Sequence, residues 1–186
     1  MKRFLMYAGL VAVVPFLIQP LSAQQKKPPA SPPETATATI AGKTLTIRYS
    51  SPRVKGREGQ IFGPGGLIQR THKEYPVWRA GANSATALHT DADLTIGNLT
   101  VPKGDYTLFV DVSNPDQWTL IVSKQTGEWG LAYNASYDLG KTAMTMSKPP
   151  SMVEDLTWSI TDEGGGKGTI TLAWEDHSAS VDFTAR

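Results

Sequence analysis

Leu156-Thr157-Trp158-Ser159-Ile160-Thr161, the loop Gly164-Gly165-Gly166-Lys167-Gly168, and Thr169-Ile170-Thr171-Leu172-Ala173-Trp174 decide the fold. Large apolar residues fall at every second position on both sides of a glycine-rich loop, which is the period of a strand with one buried face. The stretch predicts an antiparallel hairpin. Glu175-Asp176-His177-Ser178 then turns the chain into a third strand carrying Ala179, Val181 and Phe183 on one face.

The same period runs backward through the chain. Leu45, Ile47 and Tyr49 alternate with Thr44, Thr46, Arg48 and Ser50, and Ala41-Gly42-Lys43 joins this strand to Thr37–Ile40 as a tight hairpin. Further strands are predicted at Ala85–Thr90, Asp93–Ile96, Tyr106–Val112, Trp118–Val122 and Lys141–Ser147, separated by the turn-forming Pro102-Lys103-Gly104-Asp105 and Asn114-Pro115-Asp116-Gln117. Helical periodicity is absent apart from room for a turn or two in Gly127–Tyr137. Many short strands at regular spacing predict an all-β protein, an antiparallel β-sandwich of about eight to ten strands, jelly-roll-like or Ig-like.

The N-terminus follows a different rule. Lys2 and Arg3 precede an apolar stretch from Phe4 to Ile18, and Leu21-Ser22-Ala23 offers the small residues of a cleavage site. The stretch is shorter than the roughly 20 residues that span a bilayer, so residues 1–23 read as a signal peptide and the protein as exported, periplasmic or extracellular, with no stable membrane insertion after processing. Residues 24–37, with Pro28, Pro29, Pro32 and Pro33, read as a flexible tether. A single domain then covers 38–186, within the ordinary size of one core.

Composition narrows the function. The formal charge is +1, and removing residues 1–23 takes away Lys2 and Arg3 and no acid, which leaves −1. Such a chain has no electrostatic case for nucleic acid. There is no cysteine, which excludes thiol catalysis, cysteine metal sites and disulfide staples.

Ser51-Pro52-Arg53-Val54-Lys55-Gly56-Arg57, Ile61-Phe62-Gly63 and Val77-Trp78-Arg79-Ala80-Gly81-Ala82-Asn83 resemble the bacterial family known as domain of unknown function 2911. So do Val101-Pro102-Lys103-Gly104-Asp105-Tyr106-Thr107-Leu108-Phe109 and Trp118–Val122 followed by Gly127-Glu128-Trp129-Gly130. The resemblance runs roughly from Leu45 to Phe183, and its most specific piece is Trp78-Arg79-Ala80-Gly81-Ala82-Asn83. The chain departs from the pattern at Glu58-Gly59-Gln60, which is longer, and at Ile68–Tyr75, which replaces a shorter link. The resemblance implies an exported β-rich bacterial domain and carries no reaction, substrate or catalytic residue.

The residues best suited to chemistry are Arg53, Lys55, Arg57, Trp78, Arg79 and Asn83, with Trp129 as a partly exposed aromatic beside Gly127 and Gly130. Guanidinium forks suit carboxylate, phosphate or sugar hydroxyls, and tryptophan offers a stacking face. This set predicts a binding or accessory module for a small anionic or carbohydrate ligand in the cell envelope. The plainer reading has Arg79 and Asn83 bonded within their own loop or paired with acids, and Trp78 in the core. Two other functions stay open: a hydrolase using carboxylates or histidine at the same end, and a structural envelope protein pairing through a sheet edge.

No catalytic residue is identifiable, since no Gly-x-Ser-x-Gly elbow occurs. His72, His89 and His177 lack metal-ligand spacing, and Asp91 and Asp93, with Asp105 or Asp111, fall short of a calcium loop. No metal and no cofactor are expected, and oligomeric state is not set by the sequence.

Overall fold

The computed structural model describes residues 29–127 and 133–186. The expected leader at 1–23, the first part of the expected tether at 24–28, and Trp129 lie outside the described residues. The first hairpin joins β1 (Pro33–Ile40) to β2 (Lys43–Ser50). Its two-residue turn, Ala41-Gly42, has positive φ at both positions (49° and 77°), the twist that lets two strands continue without splaying.

The domain therefore starts earlier than residue 38. Residues 33–37, expected in the tether, pair along β2 from Pro33↔Ser50 onward. Proline lacks an N–H, which a strand tolerates at its first residue and on a sheet edge, and β1 is an edge. The Thr/Ala alternation that follows was masked in the sequence by the prolines before it.

Two antiparallel sheets pack face to face. The first contains β1, β2, β4 (Thr86–Thr90), β7 (Gly104–Asp111), β8 (Thr119–Ser123) and β9 (Asp138–Ala143) in that spatial order, with β3 (Val77–Trp78) also on β7. The second runs β11 (Val153–Gly164), β12 (Lys167–Glu175), β13 (His177–Ala185), β5 (Leu94–Ile96) and β6 (Leu99–Val101), with β10 (Thr145–Ser147) on β13. The thirteen strands among the described residues exceed the eight to ten expected. The excess comes from two- and three-residue strands, too short to show an alternation, and from Lys141–Ser147, which is two strands on different sheets. Between β9 and β10 the buried Met144 donates its backbone N–H to the Trp118 carbonyl at 2.8 Å, and the chain changes sheet there.

The core fills the gap between the inner faces. Leu45, Ile47, Leu88, Leu108, Val110, Leu120 and Val122 of the first sheet meet Leu94, Ile96, Leu156, Trp158, Ile170, Leu172, Trp174 and Phe183 of the second, all nearly solvent-free. The alternation in the sequence is thus the sandwich's inside and outside. A five-residue helix, α1 (Leu67–Thr71), and a 3-10 turn at Ala135–Tyr137 are the helical pieces among the described residues. Only the second was anticipated; one turn of helix is too short to impose a period of 3.6.

Strands β3 and β4 lie end to end along the same side of β7, pairing Val77↔Asp111 and Trp78↔Val110, then Thr86↔Leu108 onward. The residues between them leave the sheet as an excursion. That excursion carries Arg79.

Candidate functional site

A cavity of about 490 Å³ opens at this excursion, lined by segments 52–57, 67–72 and 78–82 and by Trp174. Three packed segments form it. The first follows β2: Ser51 Oγ donates to the Leu156 carbonyl (2.7 Å), and Val54 and Leu156 exchange backbone bonds with Glu154 and Pro52. This stitches residues 51–54 across to β11 and sets Arg53 and Lys55 at the rim. The second is α1, whose Leu67 and Ile68 N–H groups donate to Gln60 and Ile61. The third is the excursion itself.

The excursion is fixed from below. The Ala80 carbonyl accepts both the Trp158 indole N–H (2.9 Å) and the Thr86 hydroxyl (3.0 Å), and the Gly81 carbonyl accepts the Trp78 indole N–H (3.3 Å). Ala80 and Asn83 have φ of 53° and 57°. Gly81 is required by close approach: a Cβ there would sit 3.0 Å from the Ser50 carbonyl oxygen and 3.2 Å from Thr86 Oγ1. Trp78 and Trp174 stack at 5.9 Å and 20° beneath the cavity.

Five of the seven predicted residues, Arg53, Lys55, Arg57, Trp78 and Arg79, line this one cavity. Asn83 does not; its amide donates to the Ser31 carbonyl at 3.4 Å, just outside. The five are not equivalent. Arg53 is exposed and paired to Asp155 at 2.6 Å. Arg57 is spent on loop backbone, Nε to the Val54 carbonyl (2.8 Å) and Nη2 to the Arg53 carbonyl (2.5 Å). Trp78 is fully buried core with one edge on the cavity.

Arg79 stands apart. Its Nε and Nη1 are buried and have no hydrogen-bond partner, and burial lowers its pKa, because the charged form loses its hydration. Beside it in the wall is His72, 7% exposed, a residue whose sequence context showed no more than a lack of metal-ligand spacing. Its Nε2 is likewise buried and unpartnered. Burial first, and then the charge of Arg79, push its pKa down to about 4, so the ring is neutral at physiological pH. No carboxylate lines the cavity among the described residues, against Arg53, Lys55, Arg57 and Arg79. What the sequence reading missed is the apolar and neutral side of the site: Leu67, Ile68, Thr71 and His72 come from α1 and its end, which gave no periodic signal.

The other titratable clusters are self-contained. His89 bridges Asp105 (Nδ1 to Oδ1, 2.8 Å) and Asp91 (Nε2 to Oδ1, 3.1 Å) on the surface, and these bonds raise its pKa. Asp93 accepts from the Lys103 backbone and Asp111 from that of Ser113, so these four acids do not gather around one point. Glu175, Asp176 and His177, at the β12–β13 turn, have ligand atoms within 4.8 Å of one another, a spacing a divalent ion can bridge. Their present contacts are internal: His177 Nδ1 lies 2.7 Å from Asp176 Oδ1, off the line of a hydrogen bond, and buried Glu175 accepts the Gly59 N–H.

A family model described as "Protein of unknown function (DUF2911)" matches residues 31–183. The match extends the resemblance read from the motifs toward the N-terminus and includes every cavity residue from Ser31 onward. No curated protein and no solved structure matches the chain.

Proposed function

Because the chain belongs to the DUF2911 family, whose description supplies no activity to carry over, we propose from its own residues that it is an exported binding domain whose cavity takes a small organic anion on Arg79. The observation that carries this reading is the guanidinium of Arg79, whose Nε and Nη1 are buried without a hydrogen-bond partner, at a cavity lined by cations and, among the described residues, by no carboxylate. A charged group partly withdrawn from water with no partner costs free energy, and a ligand that supplies the partner recovers that cost. An anion placed there makes charge-assisted hydrogen bonds in a partly desolvated setting. Lys55 at the rim adds a longer-range attraction, and Leu67, Ile68 and Trp174 give the ligand's carbon skeleton an apolar wall. The volume suits a small molecule. Export rests on the Lys2-Arg3 start, the apolar stretch to Ile18 and the small-residue site before Gln24.

Calorimetric titration of the protein with acetate, lactate, glucuronate and inorganic phosphate, wild type beside Arg79→Met, tests this. Binding by wild type that weakens at least about tenfold in a variant of equal or greater stability is the expected result, since methionine keeps the bulk and removes a partly desolvated, unpaired charge. Lost stability with unchanged affinity would make Arg79 a structural residue and overturn the reading.

A further inference from the structure

The cavity wall holds two orphaned groups of opposite kind. Arg79 can only donate. The role of His72 follows from its bonds: Nδ1 lies 3.1 Å from the Ile68 carbonyl oxygen and 3.0 Å from Thr71 Oγ1, and the Thr71 hydroxyl donates its own proton to the Leu67 carbonyl at 2.7 Å. A carbonyl only accepts, so Nδ1 carries the ring proton and is shared between two acceptors. The buried Nε2 is therefore a bare lone pair, and it stays one wherever the ring is neutral.

A plain carboxylate satisfies only half of this wall. Its oxygens accept from Arg79 but have no proton to offer His72 Nε2, so the buried acceptor that is unmet in the empty cavity stays unmet and that hydrogen bond is not gained. We infer that the ligand of this cavity is a hydroxycarboxylate, a sugar acid or a simpler hydroxy acid, whose carboxylate meets Arg79 and whose neighbouring hydroxyl donates to His72 Nε2. The inference rests on the anion-site reading above and names its substrate class. The two groups divide the work: Arg79 sets that an anion binds, and His72 sets which one. Because burial and Arg79 hold the imidazole neutral down to about pH 4, the discrimination is independent of pH across the physiological range.

Matched pairs test it without any mutation. Calorimetric titration with glycolate against acetate, lactate against propionate, and gluconate against hexanoate is expected to favour each hydroxylated member by about tenfold or more, as sites built around a hydroxyl reject analogues that lack it. His72→Asn keeps a donor for the Ile68 carbonyl but has no atom where Nε2 sits, and should bring the ratio toward one. His72→Gln, with an amide oxygen able to reach that position, should restore part of it. Equal affinities within every pair for wild type would overturn the hydroxyl assignment and leave the anion site standing; no binding by either member of any pair would overturn both.

Discussion

Arg53 and Arg79 bring the same side chain to the same cavity under opposite conditions. Arg53 is half in solvent with its charge met by Asp155 at 2.6 Å, a pair whose worth to the fold is small because water screens it. Arg79 has two buried nitrogens without partners and acts on its neighbour instead: together with burial it holds His72 neutral, with a pKa of about 4. That has a consequence for stability. In the unfolded chain the imidazole titrates near 6.5, so between pH 6.5 and 4 the unfolded state binds the proton that the folded state refuses, and stability falls as pH falls through that window. The loss attributable to His72 between pH 7 and 4.5 is roughly 2–3 kcal/mol. His89, whose pKa is raised by Asp105 and Asp91, acts with the opposite sign, adding stability below its unfolded pKa that fades as pH rises through the folded one. The measurement is therefore a difference: urea unfolding of wild type and His72→Asn from pH 7.5 to 4.5, in which the His89 contribution cancels. Wild type should lose ground to the variant as pH falls; parallel curves would mean that the imidazole takes its proton freely.

At the scale of elements, the excursion from Trp78 to Asn83 shows why a sandwich can hold a site so firmly. Its two flanking strands lie on one side of β7, and the peptide that follows Arg79 is held by a tryptophan from the opposite sheet and by Thr86 from its own. Thr86→Val keeps the shape of a fully buried side chain and removes one of the two donors to the Ala80 carbonyl. It should cost about 1 kcal/mol of stability and, although Thr86 does not line the cavity, weaken anion binding several-fold by loosening Arg79. Unchanged affinity would show that Trp158 alone sets the loop. The same elements mark how far the sequence could be read. Strands that bury one whole face, such as β12 with Ile170, Leu172 and Trp174, announce themselves by period. Strands β3 and β6 and the helix α1 do not, because two to five residues carry no period, and the first half of β1, ahead of the predicted Thr37–Ile40, is hidden behind its prolines. In the site, residue type alone grouped Arg53, Lys55, Arg57, Trp78 and Arg79, since cationic forks in two loops at one sheet end have few other places to go. It could not separate the spent guanidinium of Arg57 from the free one of Arg79, which depends on where carbonyls of other segments lie, and it gave His72 no role because the tautomer is set by the turn of α1.

For the molecule as a whole, the cavity is not an appendage. Trp78 and Trp174 form its floor and also belong to the core, and Phe62 packs on both and on Trp118 at ring-centre distances of 4.9–5.8 Å. The lining comes from segments stitched to both sheets, so the site exists only when the sandwich is closed. A ligand of this cavity must then stabilise the entire fold and not a local loop. At 100 times its dissociation constant it adds about 2.7 kcal/mol to global stability, which for a domain of this size raises the melting temperature by roughly 5–10 °C. The four tryptophans at 78, 118, 158 and 174 are almost wholly shielded from solvent, so their emission should move to longer wavelength in a single transition that shifts with ligand. Following that transition with and without lactate or gluconate, in wild type and Arg79→Met, reads the coupling directly. A common upward shift in fluorescence and circular dichroism for wild type, absent in the variant, is the expected outcome. A change in fluorescence at the site with no movement of the melting temperature would mean that the cavity forms and fills independently of the closed sandwich, against the continuity of core and site on which the proposal depends.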